Sequence, residues 1–218
     1  MKIICFSPTA SFSVGIALLA IGAMTVRRAR HMNELPYAAI PVIFGVQQLI
    51  EGGVWLGLSA QYPTAHILAV AYLLFSNVLW PVFVPLAVWM IEPSAQHRRR
   101  IAWTIMVGLA VGLFYLVAII SHPVGATIKA LHIKYHLPHP HKHLVFTFYA
   151  MATCLAPLLS SLWTLRMLGI TLCISMITAY VIYTMWFASV WCFFAALISA
   201  MVFLHFYARR GCLRALFA

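Results

Sequence analysis

The 218-residue sequence is very poor in acidic side chains. It contains no aspartate, and its three acids are Glu34, Glu51 and Glu92. Only 8% of the residues are charged, whereas 64% are hydrophobic and the mean hydropathy is +0.98. A soluble domain carries roughly a quarter charged residues. The composition therefore excludes an ordinary water-soluble domain and indicates an integral membrane protein.

Cysteines are also few. The five cysteines, at positions 5, 154, 173, 192 and 212, form no CxxC pair, so the sequence predicts no disulfide framework. Three of them fall inside apolar runs, where small core residues of a helix bundle are expected.

The formal net charge of +11 raises the question of a nucleic-acid partner. Nucleic-acid-binding surfaces carry basic residues on a soluble face, with aromatic or polar groups between them. Here the basic residues lie in short loops between apolar runs, which is typical of membrane proteins. We therefore expect no nucleic-acid partner and expect membrane lipids instead, because basic loops hold anionic headgroups.

Long apolar runs predict an all-α fold, a bundle of seven transmembrane helices in a single domain over residues 1–218. A membrane span needs about 20 apolar residues, and residues 167–208 are about twice that length. They contain neither charge nor proline, so we predict two helices there with a turn near Ala188 and Ser189. The predicted spans are 8–26, 37–60, 66–91, 101–121, 144–163, 167–187 and 189–208, with a histidine-rich external loop at 122–143.

Two spans carry local features. Pro81 and Pro85 are expected to kink the third span, which a bundle tolerates when neighbours satisfy the freed carbonyl groups. Gly108 and Gly112 in the fourth span have GxxxG spacing, which permits close helix approach.

The basic residues also predict an orientation. All arginines follow odd-numbered spans and all lysines lie on the opposite side, so the positive-inside rule places the N-terminus outside and the C-terminus in the cytoplasm. The arginines are at 27, 28, 30, 98, 99, 100, 166, 209, 210 and 214, and the lysines at 2, 129, 134 and 142.

The second span carries a polar stripe. Residues 41, 44, 48, 51 and 55 recur at three- and four-residue steps, so they share one helix face. Glu34 and Glu92 lie at the ends of apolar runs, where we expect them to be solvated, and this leaves Glu51 as the one acid expected at membrane depth. A carboxylate there costs several kcal/mol unless it is protonated, paired or facing a wet cavity, which marks a functional site. The candidate polar site comprises Gln47, Gln48, Glu51 and Trp55, with Asn77 and His122 as partners of similar depth.

The external loop, HPVGATIKALHIKYHLPHPHKH, contains six of the ten histidines. If residues 126–135 are helical, the i, i+4 spacing places His132 and His136 on one face. Neutral imidazoles suit zinc and copper, and the lack of carboxylates in the loop argues against calcium or magnesium. The candidate ligands for zinc or copper are His132, His136, His139, His141 and His143; a polar loop that is solvated or senses pH is the alternative.

These features leave three functions open. The first is transport or binding of a proton, metal ion or small solute at Glu51. The second is an intramembrane metal-dependent enzyme that uses Glu51 as acid or base. The third is a structural or accessory subunit, in which the stripe packs against a membrane-protein partner or another copy of the chain.

Three stretches resemble an uncharacterised family of bacterial multi-spanning membrane proteins, a domain of unknown function. They are the CFSxxASF motif at 5–12, ELPYAAIPVIFGVQQLIEGGVW at 34–55 and SVWCFFAAL at 189–197. Family members open with methionine directly followed by CFS, whereas three residues, 2–4, intervene here. The resemblance implies the seven-span architecture and a multi-pass location in the bacterial inner membrane, and it implies no activity.

A seven-span chain with an HxxxH spacing also resembles zinc hydrolases of the alkaline-ceramidase type. Those enzymes use an aspartate near the zinc, and this chain has none. Rhodopsin-like function is disfavoured as well, because no lysine lies in the last span to carry a retinal Schiff base.

Overall fold

The computed structural model describes residues 7–129, 132–182 and 187–208, with the side chains of all of these except 179–182, 187–195 and 208. The described part of the chain is mostly helical (81%) and contains seven helices, which confirms the predicted helical architecture. The helices are α1 (Pro8–Val26), α2 (Leu35–Ser59), α3 (Thr64–Ile91), α4 (Ala95–Ser121), α5 (142–158), α6 (Trp163–Ile182) and α7 (Phe187–Ala208).

Four helices in the described part of the chain are long and apolar enough to cross a membrane: α1, α2 with the short 3-10 turn Met32–Glu34 before it, α3 and α4. In α6 and α7 the qualifying apolar stretches are shorter, Trp163–Thr178 and Ala196–Tyr207. The chain therefore has the character of a membrane protein.

Two predicted boundaries are wrong. Ala188 and Ser189 lie inside α7 rather than in a turn, and residues 183–186, which connect α6 to α7, lie outside the described residues. The fifth helix ends at Leu158 instead of 163, because the residues that follow turn back to bind a carboxylate described below. No charged residue or glycine marks either helix boundary in the sequence. The length of the apolar run alone could therefore not locate these boundaries.

The prolines widen two helices rather than ending them. Helix α3 contains a π-helical stretch at Leu74–Leu79 and α5 contains one at Met151–Leu155. Each stretch ends two residues before a proline, Pro81 or Pro157. A proline ring clashes with the carbonyl group four residues earlier in an α-helix, and the wider π turn moves that carbonyl away.

The GxxxG pair of α4 does mediate close packing. A Cβ atom added to Gly108 would lie 1.8 Å from the carbonyl oxygen of Pro81, and one added to Gly112 would lie 3.1 Å from that of Val78. Glycine therefore lets α4 rest directly on the backbone of α3, as the spacing predicts.

One main core cluster joins all seven helices. Its members are apolar side chains that face the middle of the bundle and exclude water from it. One buried member from each helix in turn is Leu18, Tyr37, Trp80, Ile101, Val145, Leu165 and Val202.

The condition that residues 126–135 are helical is not met, because the segment contains an antiparallel hairpin of β1 (Gly125–Lys129) and β2 (His132–His136). Apolar and polar residues alternate in both strands, which is the period of a strand and not of a helix. Ala126 pairs with Tyr135 and Thr127 with Lys134. The all-α prediction therefore needs one correction, a two-stranded sheet between α4 and α5.

Candidate functional site

The polar stripe of α2 is buried along its whole length. Glu51 is 2% exposed, Gln47 1%, and Gln48 and Trp55 are each 5%. Polar groups are normally buried only where they gain partners or serve a function. The three- and four-residue spacing thus identifies the inward face of α2.

Gln47 is held by the indole of Trp80 on α3. The Trp80 Nε1 donates a hydrogen bond of 2.5 Å to Gln47 Oε1, and the Trp80 ring stacks on Phe44 with centroids 4.0 Å apart. An unpaired buried amide would cost about 1–3 kcal/mol. The indole therefore satisfies Gln47 and fixes the position of α2 against α3.

Glu51 lies between two contacts of α2 with α3. On one side is the glutamine–indole bond, and on the other Gly53 faces Leu68, whose Cδ1 would lie 3.0 Å from an added Cβ. Because consecutive helices joined by a short turn run antiparallel, Glu51 falls at the level of residues 72–76. The side chains of Tyr72 and Ser76 are both buried.

This level of α3 coincides with its π-helical stretch. Tyr149 of α5 donates a hydrogen bond of 2.8 Å to the backbone carbonyl of Ser76, and the Ser76 hydroxyl donates one of 3.1 Å to Asn77 Oδ1. Asn77 itself is half-buried. A π turn leaves a carbonyl without its helical donor, and π turns are frequent at functional sites. The stretch thus brings three polar groups to the depth of Glu51.

The hairpin covers the end of α2 beyond Glu51. Ile133 is 1% exposed and packs in a cluster with Val54 and Trp55. Tyr135 stacks on Tyr72 with ring centroids 4.4 Å apart and planes 4° apart. The apolar face of β2 therefore closes the bundle one turn above the acid.

The loop histidines lie apart from one another in the structure. His122 is exposed and its Nδ1 contacts the carbonyl of Ala118, one turn back on α4, at 3.2 Å, so it lies at the surface and not beside the buried stripe. His136 Nε2 contacts Thr127 Oγ1 at 3.0 Å across the hairpin. His139 packs edge-on against the ring of Tyr115, 5.3 Å between centroids.

The remaining candidate ligands are spread along the loop. His132 is half-buried at the start of β2, while His141 and His143 are exposed at the start of α5. Within the described ranges, no group of three or more histidine, cysteine or acidic residues is arranged to hold a metal ion. The described loop histidines therefore do not converge on a site with three ligands.

A comparison with known protein families assigns the chain to one of them. Residues 4–216 match a family described as "Family of unknown function (DUF6629)". The chain belongs to DUF6629. No curated protein and no solved structure matches it. The family assignment accounts for nearly the whole chain and supplies no activity.

The other two acids of this DUF6629 chain are not solvated as predicted. Glu34 is 5% exposed and Glu92 2%. Glu34 Oε2 accepts a hydrogen bond of 2.8 Å from the backbone N–H of Arg30, because the loop after α1 folds back over the start of α2. Glu51 is therefore one of three buried acids, and its distinction is its place in the middle of a long apolar helix.

Glu92 joins two turns of the DUF6629 fold. Its carboxylate accepts hydrogen bonds from Ser160 Oγ at 2.5 Å, from Ser161 N at 2.9 Å, from Ser161 Oγ and from Ser94 N at 3.0 Å. Burial raises the pKa of Glu92, but these hydrogen bonds outweigh it and lower the pKa below its ordinary value. The carboxylate thus ties the turn after α3 to the turn after α5.

Sequence reasoning missed this junction and the Trp80 indole. Ser160 and Ser161 are ordinary turn residues with no spacing that connects them to Glu92. Tryptophan in a membrane protein commonly anchors a span at the interface, and nothing in the sequence connects Trp80 to Gln47. In both cases the partner is distant in sequence, and only the packing of α3 against α2 and α5 reveals it.

Proposed function

We propose that the chain crosses the bacterial inner membrane seven times, with its N-terminus outside and its C-terminus in the cytoplasm. The seven helices, the four long apolar helices among them and the separation of arginines from lysines support this topology. Reporter fusions after each helix test it. Alternation of cytoplasmic and external signals is expected, and two adjacent fusions on one side would contradict it.

We further propose that Glu51 is the centre of a site that binds a proton, a metal ion or a small solute during transport. The observation that carries this proposal is the burial of Glu51, at 2% exposure, in mid-helix beside two glutamine side chains. An ionisable residue inside a membrane helix is costly and typically marks a substrate or ion pathway. The polar side chains next to Glu51 along α2 are Gln47 and Gln48.

The chemistry of the site favours a small cationic or hydrogen-bonding ligand. A carboxylate releases or takes up a proton, or offers two oxygens to a cation, and the amide of Gln48 offers both a donor and an acceptor. Access from outside requires movement of the hairpin, because Ile133 and Tyr135 pack over the end of α2. The hairpin is thus the external gate in this proposal.

Two other assignments stay as proposals. Zinc or copper binding by the external loop is supported by the exposed His136, His141 and His143, with ligands converging only after the loop rearranges. A purely structural role for the stripe, against a membrane-protein partner or a second copy, is supported by the Trp80 bond to Gln47, since interhelical hydrogen bonds stabilise bundles.

Flux across proteoliposomes, with Glu51→Gln as the variant, separates these functions. The substitution keeps the shape of the side chain and removes the ionisable group. If Glu51 carries the transported species, proton or cation flux is lost while thermal stability in detergent stays near that of the wild type. Glu92→Gln is the matched control, because Glu92 is equally buried but belongs to the turn junction, and it is expected to retain flux.

The opposite result would sink the transport proposal. Loss of folding in Glu51→Gln with no wild-type flux of protons or metal ions supports a structural role. Turnover of a lipid or peptide substrate that depends on Glu51, without flux, supports an intramembrane enzyme.

A further inference from the structure

A sulfur-rich groove lies between α5 and α6, apart from Glu51 and from the histidine loop. Its volume is about 320 Å³. Four of its nine lining residues carry sulfur: Met151, Cys154, Cys173 and Met176. Across the whole chain sulfur is far rarer, with five cysteines and ten methionines among 218 residues. Such enrichment points to a ligand that selects sulfur.

The two cysteines form a pair across the helices. Cys154 lies on α5 and Cys173 on α6, both line the same groove, and both are free. Cys154 is 5% exposed. The groove therefore brings together two thiols from separate helices.

The methionines extend this set. Met176 is 3% exposed and Met151 is 39% exposed, so one thioether lies at the base of the groove and the other at its mouth. Met151 and Cys154 both belong to the π-helical stretch Met151–Leu155. The wide turn required before Pro157 is thus also the feature that presents sulfur to the groove.

We propose that this groove binds a soft monovalent metal ion, Cu(I), through the sulfur atoms of Cys154 and Cys173 with thioether support from Met151 and Met176. Thiolates and thioethers select Cu(I), whereas zinc takes thiolates but is not held by thioethers. Each cysteine releases its proton on binding, so two protons leave per ion and copper stays in the +1 state. The site is independent of the function proposed for Glu51.

Anaerobic titration of the purified full-length protein with Cu(I), against a colorimetric Cu(I) chelator, tests the site. One ion per chain is expected, with a pH dependence that reflects proton release. Zn(II), which gains nothing from the thioethers, is expected to bind more weakly than Cu(I). Loss of an outer-shell partner alone costs a metal site about 10–100-fold in affinity, so Cys154→Ala with Cys173→Ala is expected to lower Cu(I) affinity by at least about 100-fold.

Three control variants isolate the groove, and a fourth variant tests a thioether. A variant with serine at positions 5, 192 and 212 keeps the proposed ligands and is expected to bind as the wild type does. His132→Ala with His136→Ala removes loop imidazoles and is expected to leave the sulfur site intact, and so is Glu51→Gln. Met176→Leu, which preserves volume, is expected to weaken Cu(I) binding without abolishing it.

Other outcomes overturn the proposal. Cu(I) binding that survives loss of both groove cysteines assigns the ion elsewhere, and equal retention of Zn(II) would show that the thioethers play no part. If neither the wild type nor any variant binds Cu(I) stoichiometrically, the proposal is wrong and the groove is an apolar surface with two core cysteines. Circular dichroism of each variant verifies that the helices are retained.

Discussion

Removal of the Glu92 carboxylate is predicted to weaken the junction between the turns after α3 and α5. Four hydrogen bonds converge on this group, two from serine hydroxyl groups and two from backbone N–H groups. A hydrogen bond to a charged group contributes about 1.5–3 kcal/mol, and a buried donor left without its acceptor costs about 1–3 kcal/mol. Ser160 is 3% exposed and is left without an acceptor, whereas the half-buried Ser161 can turn to water. We therefore expect about 3 kcal/mol of destabilisation for Glu92→Ala and less for Glu92→Gln, whose amide oxygen still accepts.

The same junction predicts a dependence on pH. The folded-state pKa of Glu92 is lowered, so its contribution to stability is fully present above the ordinary glutamate pKa of about 4.3. It is lost as pH falls below that value and through the lowered folded-state pKa. The wild type should therefore lose its stability advantage over Glu92→Gln in acid.

Thermal unfolding in detergent, followed by tryptophan fluorescence at neutral and acidic pH, measures both effects. Ser160→Ala is the companion variant, since it removes one donor and leaves the carboxylate in place. A double-mutant cycle of the two should show coupling. Equal unfolding temperatures for wild type and Glu92→Ala at neutral pH would refute the assigned role of the carboxylate.

Two further substitutions test the packing of α3. Gly108→Ala places a methyl group 1.8 Å from the Pro81 carbonyl oxygen and should cost about 1–3 kcal/mol or more from overpacking. Gly125→Ala is the control and should cost much less, because the atom nearest to its added Cβ is 3.8 Å away. Equal unfolding temperatures of the two variants would contradict the contact. Tyr149→Phe removes the hydrogen bond to the Ser76 carbonyl and should cost about 1–3 kcal/mol. Thermal unfolding measures this cost as well, and an unchanged unfolding temperature would show that the bond contributes nothing to stability.

The helices could be predicted because the signal is local. Apolar runs and the three- and four-residue spacing around Glu51 reflect the period of a single helix, and the structure buries the predicted face of α2. The close contact at Gly108 could be predicted for the same reason, because the GxxxG spacing describes one surface of a single helix. None of these predictions required knowledge of which helices are neighbours.

The hairpin shows where a local spacing fits two periods. The i, i+4 spacing of His132 and His136 fits a helix, but it fits a strand equally well, because residues four apart also share a strand face. The alternation of Ile133 and Tyr135 with polar residues decides the question. Counting matches to both periods across the segment would have identified the strands.

The burial of Glu34 and Glu92 could not be predicted from the sequence. An acidic side chain at the end of an apolar run is usually expected to be solvated. Here a backbone N–H donates to Glu34, and a serine hydroxyl donates to Glu92. Those donors come from residues whose identity is common in any turn. The partner of a buried polar group is a property of tertiary packing, as Trp80 and Gln47 also show.

Infrared difference spectroscopy of the protein in lipid tests the role of Glu51 most directly. The chain has only three acidic side chains, so its side-chain carboxyl bands can be assigned one by one with Glu34→Gln, Glu51→Gln and Glu92→Gln. A carboxyl band that changes when a proton or metal-ion gradient is applied, and that disappears only in Glu51→Gln, is the result expected of a binding site. A Glu51 band that is the same under every gradient would contradict it.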